Sequence, residues 1–344
     1  MKQYVGLDVS QKVTSVCIVD ESGSKLWAGK CPSTPEALAA VIRERAPFAE
    51  RVGLETGPLS VWHYHGLTAC GVPVVCIDAR HAKSALQMQV NKTDENDAEG
   101  IAQIMRTGWF RAVHVKSFEA QLQRSLLLSR LQLVNMRRDA SNQVRGALKV
   151  FGIVLPAGRL STFDRLAREH IGVRAELSMF VEPLLVAWRS LGEQVALLDK
   201  HIRKIARENS VVKNLTSVPG VGVLIGLAYV ATIDDQSRFK KSRNVGAHLG
   251  LAPRRFQSGE VDRQGSISKC GDPLLRHYLY EAAGVLLTRT RRWSTLKAWG
   301  VRLAQRIGAS KAKIAVARKL AIILHRMWRT GEPFRWGSMQ EGTA

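Results

Sequence analysis

The sequence predicts an α/β plus α chain, with a mixed-sheet domain first and a long, mainly helical remainder after it. Three observations carry this reading. Short apolar runs separated by turn residues alternate with helical stretches through the first third. Residues 118–150 read as one long basic helix, broken by Pro156 and Gly158. Between 184 and 205 the apolar residues Leu184, Trp188, Leu191, Val195, Leu198, Ile202 and Ile205 alternate spacings of four and three, which is a heptad seam. With 344 residues, 45% hydrophobic and 23% charged, the chain can hold two or three packed domains and is too apolar for wholesale disorder.

Residues 4–8, 13–19 and 25–31 read as strands, the last two joined through the turn signal Glu21-Ser22-Gly23. A helix is expected from about Thr34, with Pro35 in its first turn and Leu38, Val41 and Ile42 on one face. A strand at 51–55, a helix near 60–70, a strand at 72–77 and a helix at about 80–88 follow, and another helix opens at Thr93-Asp94. Three meandering strands followed by alternating helix and strand imply a mixed sheet with helices on its faces. Pro183 falls near the expected start of the heptad helix, where proline is tolerated. That seam fits either an intramolecular hairpin with residues 118–150 or a dimer contact, because three heptads alone are marginal.

A further domain begins near Leu215. Ser217-Val-Pro-Gly-Val-Gly222 leads into an apolar helix from Val223 to Ile233. This turn resembles a helix-hairpin-helix motif, whose glycine amides, here Gly220 and Gly222, can approach a phosphate. Gly246, Gly250, Gly259, Gly265 and Gly271 mark a loop-rich segment. A basic helix from Lys311 to Arg329 follows, with Ile314, Ala317, Leu320, Ala321, Leu324 and Trp328 on one face.

Charge separates the two halves. Residues 1–110 carry 11 Lys/Arg and 12 Asp/Glu, so the chain's 51 and 29 leave 40 and 17 behind them, and all of the excess positive charge lies there. A basic surface gains affinity for a polyanion by releasing its counterions, so nucleic acid is the economical partner. No run of about 18 apolar residues argues for a membrane span, and the N-terminus enters a strand too soon for a signal peptide. Cys17, Cys31, Cys70, Cys76 and Cys270 show no Cys-x-x-Cys pairing and no matching histidine spacing. Neither a zinc site nor a disulfide framework is expected, and a reducing cytoplasm fits.

Four acids stand where chemistry is feasible. Asp8 ends the first strand and Glu55 another, while Asp94 and Asp97 lie three apart at a helix start and point the same way. Carboxylates so placed can cage hard divalent cations over a phosphodiester. Asp94 has a structural alternative, because an acid in the first turn caps a helix and offsets its dipole. Glu95 and Glu99 read as solvated surface. A second constellation, Gly250-Leu-Ala-Pro-Arg-Arg-Phe-Gln-Ser-Gly259, runs on through Arg263, Ser266, Ser268, Lys269 and Arg276. Arginine forks suit phosphate. Ser258 among them is either a turn residue or a nucleophile.

Together these pieces resemble the DEDD-type serine transposases of bacterial insertion sequences, the insertion sequence one-ten family. The matching segments are Gly6-Leu-Asp-Val-Ser10, Gly53-Leu-Glu-Thr-Gly57 and Asn91-Lys-Thr-Asp-Glu-Asn-Asp-Ala98, then Ser217 to Gly222, Gly250 to Gly259 and Ser268-Lys-Cys-Gly271. Phe256-Gln257 replaces a more usual Tyr-Glu. The resemblance implies a ribonuclease H-like, resolvase-like domain over 1–155, a coiled-coil middle over 156–212 and a C-terminal transposase domain over 213–344. It implies a metal-binding tetrad of Asp8, Glu55, Asp94 and Asp97, with Mg²⁺ as cofactor and Ser258 as catalytic nucleophile. Members are recombinases that act on donor and target DNA under a structured guide RNA, as a dimer of dimers. A cytoplasmic enzyme, on the nucleoid when active, is implied.

The expected mechanism follows. The tetrad holds Mg²⁺ and aligns the scissile phosphate, Ser258 attacks it, and a phosphoserine link and a free 3′ hydroxyl result. Either the chain folds back to join tetrad and serine or one subunit supplies each half; the resemblance favours the composite. Arg254, Arg255, Arg263, Lys269 and Arg276 are candidate phosphate contacts, with Gly220 and Gly222. The rivals are a metal-dependent junction nuclease that hydrolyses with water and a non-catalytic nucleic-acid binder. An actin-like kinase would need glycine just after the first Asp, where Val9-Ser10-Gln11-Lys12 has none.

Overall fold

The computed structural model describes residues 1–87, 91–158 and 160–337. The chain divides into two compact units, Met1–Lys116 and Ser117–Ala344.

In the first unit, β1 (Gln3–Asp8), β2 (Val13–Asp20), β3 (Lys25–Pro32), β4 (Ala49–Glu55) and β5 (Val74–Ile77) form one sheet in the order β3-β2-β1-β4-β5. The first three strands meander antiparallel, whereas β1–β4 and β4–β5 run parallel. This is the mixed sheet that the alternation predicts. Period-two patterning sends Val5, Leu7, Val52 and Leu54 to one face, against Leu38, Ile42 and Leu67. Those three belong to α1 (Pro35–Arg45) and α2 (Ser60–Ala69). Tyr4, Cys17 and Val19 face the other way, toward α3 (Ala79–Leu86) and α4 (Asp94–Thr107). Sequence expectation carried α3 to 88, a position outside the described residues. Thr34 and Thr93 cap α1 and α4 as expected, their side chains accepting from the amides of Ala37 and Asn96. Gly108, at φ 70°, ends α4 in the left-handed conformation that glycine adopts at least cost.

The second unit opens with α5 (Phe118–Lys149), which pairs with α7 (Ala175–Glu208) in a helical hairpin. Of the heptad seam, Trp188, Val195 and Ile202, seven apart, are buried and the other four are half-buried. The intramolecular alternative therefore accounts for the seam. Arg130 reaches Asp199 across the hairpin at 2.5 Å. Pro183 corrects the expected boundary: it lies inside α7, because Leu177 and Val181 extend the apolar stripe a further two turns upstream. Its side chain is exposed, and Met179, one turn back, is 77% exposed, so the carbonyl that loses its partner sits on the open side of the helix.

By contacts α5 groups with this second unit, although sequence expectation counted it with the first domain. A short helix α6 (Phe163–Ile171) packs at the hairpin's far end, where Phe163 meets Trp188. The remaining core gathers α8 (Ser210–Leu215), α9 (Val223–Ile233), α10 (Arg243–His248), α11 (Pro273–Thr288), α12 (Thr295–Ile307) and α13 (Ala309–Thr330). On α13, Ala317, Leu320, Ala321 and Leu324 are buried, the face its spacing predicts. Asp272 caps α11, accepting from the Leu275 amide at 2.9 Å, and pairs with Arg124 of α5 at 2.6 Å. One departure is larger. The segment read as glycine-rich loop contains a two-stranded antiparallel ribbon, β6 (Pro253–Ser258) and β7 (Val261–Ile267).

Among the described residues no helix is long and apolar enough to cross a membrane. All five cysteines are free.

Candidate active site

Two glycines seat the acidic cluster. Gly6 and Gly53 stand two residues before Asp8 and Glu55, so each shares a sheet face with its acid. On that face lies α4, pressed so close that a Cβ on Gly6 would stand 2.0 Å from the Ala98 carbonyl oxygen and 2.4 Å from the Ala102 amide. At Gly53 the obstacle is the Met105 side chain, 2.6 Å away. The N-terminal turn of α4, with Asp94 and Asp97, thereby comes to the carboxyl ends of β1 and β4. Gly6→Ala is expected to unseat α4 and lower the thermal midpoint, by the roughly 1–3 kcal/mol or more that overpacking costs. Gly53→Ala costs less, because a flexible side chain can yield, and Gly57→Ala, with nothing within 4 Å, is the neutral control. Thermal unfolding of the three variants checks the order.

All four acids take part in one field. Burial, then the charges of Asp97 and Asp94, raise the Asp8 carboxyl pKa. Burial, then Asp8 and Asp97, raise that of Glu55. Lys92 opposes both shifts, and its ammonium stands 4.0 Å from Asp97. Glu55 and Asp97 line a cleft of about 420 Å³ with Lys83, Lys92 and Asn91.

Asp78 has the same address at the end of β5 and a different fate. Arg80 grips it through a fork of 3.1 and 2.8 Å and, as the leading cause, pulls its pKa down to about 2. It also caps α3. Glu99 is likewise spent, on Lys25 at 2.5 Å, and Glu95 is exposed, as expected of solvated surface.

The donors suit a hard divalent cation: they are all oxygens, Asp8 and Glu55 are half-buried, and burial first, then neighbouring carboxylates, raise their pKa values, a cost that a bound cation relieves. The geometry is looser than the expected cage. Among the described residues no three His, Cys, Asp or Glu side chains converge closely enough to hold one ion.

Ser258 ends β6 and pairs with Val261 across the two-residue turn Gly259-Glu260. Gly259 takes φ 54°, as the first position of a primed hairpin turn requires. Apart from half-buried Ile267, every residue of the ribbon is exposed. Its register sorts the basic residues. Arg254, Phe256 and Ser258 share a face with Val261 and Arg263, while Arg255 and Gln257 face the other way with Asp262 and Gln264. Arg255 is held by Asp262 in a bidentate pair of 2.9 and 2.8 Å, so two of its donors are already engaged. Asp262 had no place in the sequence reading, because only the register brings it to Arg255.

At the ribbon's root the chain crosses itself. A Cβ on Gly271 would stand 2.4 Å from the His248 carbonyl oxygen, and one on Gly250 would stand 2.6 Å from the Cys270 amide. Arg276 donates to the carbonyls of Leu249 and Gly271, at 3.2 and 3.1 Å, and so ties both arms together. Lys269 bends there with φ 56°, its amide on the Gly250 carbonyl. Gly220 presses on the Ala282 carbonyl of α11, whereas Gly222, at the start of α9, is exposed with open space beside it. The structure thus gives Arg276 and Gly220 packing roles and leaves Arg263 and Gly222 accessible, while exposed Arg254 donates from Nη2 to the Ser268 carbonyl at 3.3 Å.

Comparison with known proteins puts these features in a class. Residues 5–153 match the DEDD transposase family of IS110 type, and residues 212–298 match the family described as Transposase IS116/IS110/IS902. The chain is 28% identical to the transposase for insertion sequence element IS1111A of Coxiella burnetii, over 98% of this chain and 92% of that protein. It is 32% identical to the "Probable family 20 transposase" of Pseudomonas aeruginosa, over 68% and 71%. With the transposase for insertion sequence element IS1328 of Yersinia enterocolitica it shares 29%, over 68% and 70%. The protein is a transposase, an enzyme that recombines DNA. More particularly, it belongs to the IS110/IS116/IS902 family of insertion-sequence transposases. The DEDD transposase family is typically divalent-metal dependent.

Proposed function

We propose that this transposase cuts and rejoins DNA through a phosphoserine intermediate on Ser258, with Asp8, Glu55, Asp94 and Asp97 positioning the scissile phosphate through Mg²⁺. The observation that carries the reading is the division of labour between two features. One unit offers four mutually repelling carboxylates, and the other offers a serine on an exposed, arginine-bearing ribbon. The strand order β3-β2-β1-β4-β5 supports a ribonuclease H-like assignment for the first domain. In our reading the domains run 1–155, 156–212 and 213–344.

Bound Mg²⁺ would neutralise charge on the phosphate and hold it in line for attack. Ser258 Oγ bonds to phosphorus as the bond from phosphorus to the 3′ oxygen breaks. The hydroxyl proton passes to a base, and the departing 3′ oxygen takes up a proton. A partner strand's 3′ hydroxyl then attacks, the bond to Oγ breaks, and the serine is restored. One phosphodiester replaces another at each step, so no ATP is needed. Arg254 and Arg263, on the serine's face, steady the phosphate, with Lys269 nearby in the chain.

Donor and target DNA and a structured guide RNA share the basic second unit, whose 38 Lys/Arg outnumber 17 Asp/Glu. The enzyme acts in the cytoplasm as a homodimer, paired into a dimer of dimers on nucleic acid. Purification without nuclease, followed by sequencing of bound RNA, tests the guide. A discrete RNA encoded beside the gene is expected, and random fragments alone would count against it.

A further inference from the structure

The charge sorting on the ribbon goes beyond the serine. Phe256 is 63% exposed, the most water-facing large apolar side chain of the ribbon, with Val261 at 41%. A two-stranded ribbon with no covered face gains nothing from an exposed phenyl ring in water. Arg263, directly across on β7, places a cation beside that ring, and Arg254, two residues earlier on β6, adds a second whose Nη2 also donates to the Ser268 carbonyl at 3.3 Å. Among the strand residues the one acid, Asp262, lies on the opposite face and is neutralised by Arg255. The face is therefore cationic and aromatic at once, which is the composition of a stacking platform for nucleic acid. Two residues along a strand separate neighbouring side chains on one face by about 7 Å. A base on the nucleotide that carries the attacked phosphate falls within that reach.

We infer that Phe256 stacks on an unpaired nucleobase next to the scissile phosphate, making it a positioning residue for attack by Ser258. The inference rests on the serine reading, since it takes the phosphate to lie at the ribbon's tip. Stacking on one ring face asks little of base identity, because every base offers a π-face. Phe256 therefore selects for an unstacked base at the cleavage point rather than for a sequence. Arg254 and Arg263 hold the flanking phosphates.

Photocross-linking tests this in the full-length protein. The probes are a single-stranded oligonucleotide of mixed sequence with 5-iododeoxyuridine for thymidine, and the same strand in a duplex. The expected cross-link lies on the peptide Phe256–Arg263, with a several-fold lower yield from the duplex. Phe256→Tyr keeps it, whereas Phe256→Leu, apolar without a ring, loses it and binds the single strand about 5- to 100-fold more weakly. Both variants should melt like the wild type, because the side chain is exposed. Equal yields from strand and duplex, or full cross-linking by Phe256→Leu, would overturn the inference. The serine reading stands or falls separately. Loss of the DNA adduct in Ser258→Ala, together with no cross-link at Phe256, sinks only the stacking claim. An adduct that survives Ser258→Ala sinks the serine reading.

Discussion

Ser258→Ala is expected to bind DNA normally and to cut it about 10⁴-fold more slowly or worse, the loss seen when a nucleophile is removed from a site that acts as a unit. The residue is exposed at the end of β6 and its side chain supports no core, so the fold should be unchanged. On a denaturing gel the wild-type protein should carry labelled DNA and the variant none. A metal-dependent nuclease that used water would behave differently: the variant would go on cutting, and neither protein would hold DNA. Ser258→Cys is a useful companion, because a thiol in that position keeps a nucleophile while altering its leaving ability.

The second large effect joins activity to stability with opposite signs. Asp8→Asn removes a carboxyl whose own pKa is raised by burial and then by Asp97 and Asp94, and whose charge helps burial raise that of Glu55. A carboxyl with a raised folded pKa stabilises the protein below its unfolded value near 4, and that contribution is lost as pH rises through the raised value. At neutral pH, in chelator, the wild type therefore carries the full repulsion and Asp8→Asn is relieved of it. The gain is on the order of 1 kcal/mol after discounting for solvent screening, or about 2–4 °C in thermal midpoint. Added Mg²⁺ should raise the wild-type midpoint at pH 7 more than at pH 4, and should raise the variant's less. Strand cleavage by the variant should be lost. A wild type with no Mg²⁺ response, or a variant that is both less stable and still active, would remove the metal role from Asp8.

Much of this was legible in the sequence, for reasons tied to particular residues. The five strands and α4 show because buried runs such as Val16 to Val19 are apolar and end at acids or turn residues. Asp8 and Glu55 show because they close such runs, and Asp94 and Asp97 because they follow the capping Thr93 at the start of a helix. The β6–β7 ribbon does not, since none of its strand residues is buried and no alternation of apolar and polar residues marks a period. Its glycines pointed to loops, whereas Gly250 and Gly271 serve the close crossing at its root. The helix α11 carries a readable start, Asp272-Pro273, followed by Leu275, Leu279, Ala282 and Leu286 at helical spacing, in the stretch between Gly271 and Lys311 where no element is expected. Partner choice among charges was least legible. Asp78 and Asp8 both end strands, but only Asp78 has an arginine two residues on that can fold back onto it. Arg254 and Arg255 are neighbours in sequence, and the ribbon's register alone decides which one Asp262 engages.

The most direct measurement maps the covalent link. Trypsin cleaves after Arg255 and Arg263, releasing Phe-Gln-Ser-Gly-Glu-Val-Asp-Arg, a peptide with one hydroxyl-bearing side chain, Ser258. DNA trapped on the wild-type protein, trimmed by nuclease and read by mass spectrometry, should leave a nucleotide 5′-phosphate on that peptide. A nucleotide on any other peptide, or cleaved DNA with no peptide modified, would contradict the phosphoserine mechanism.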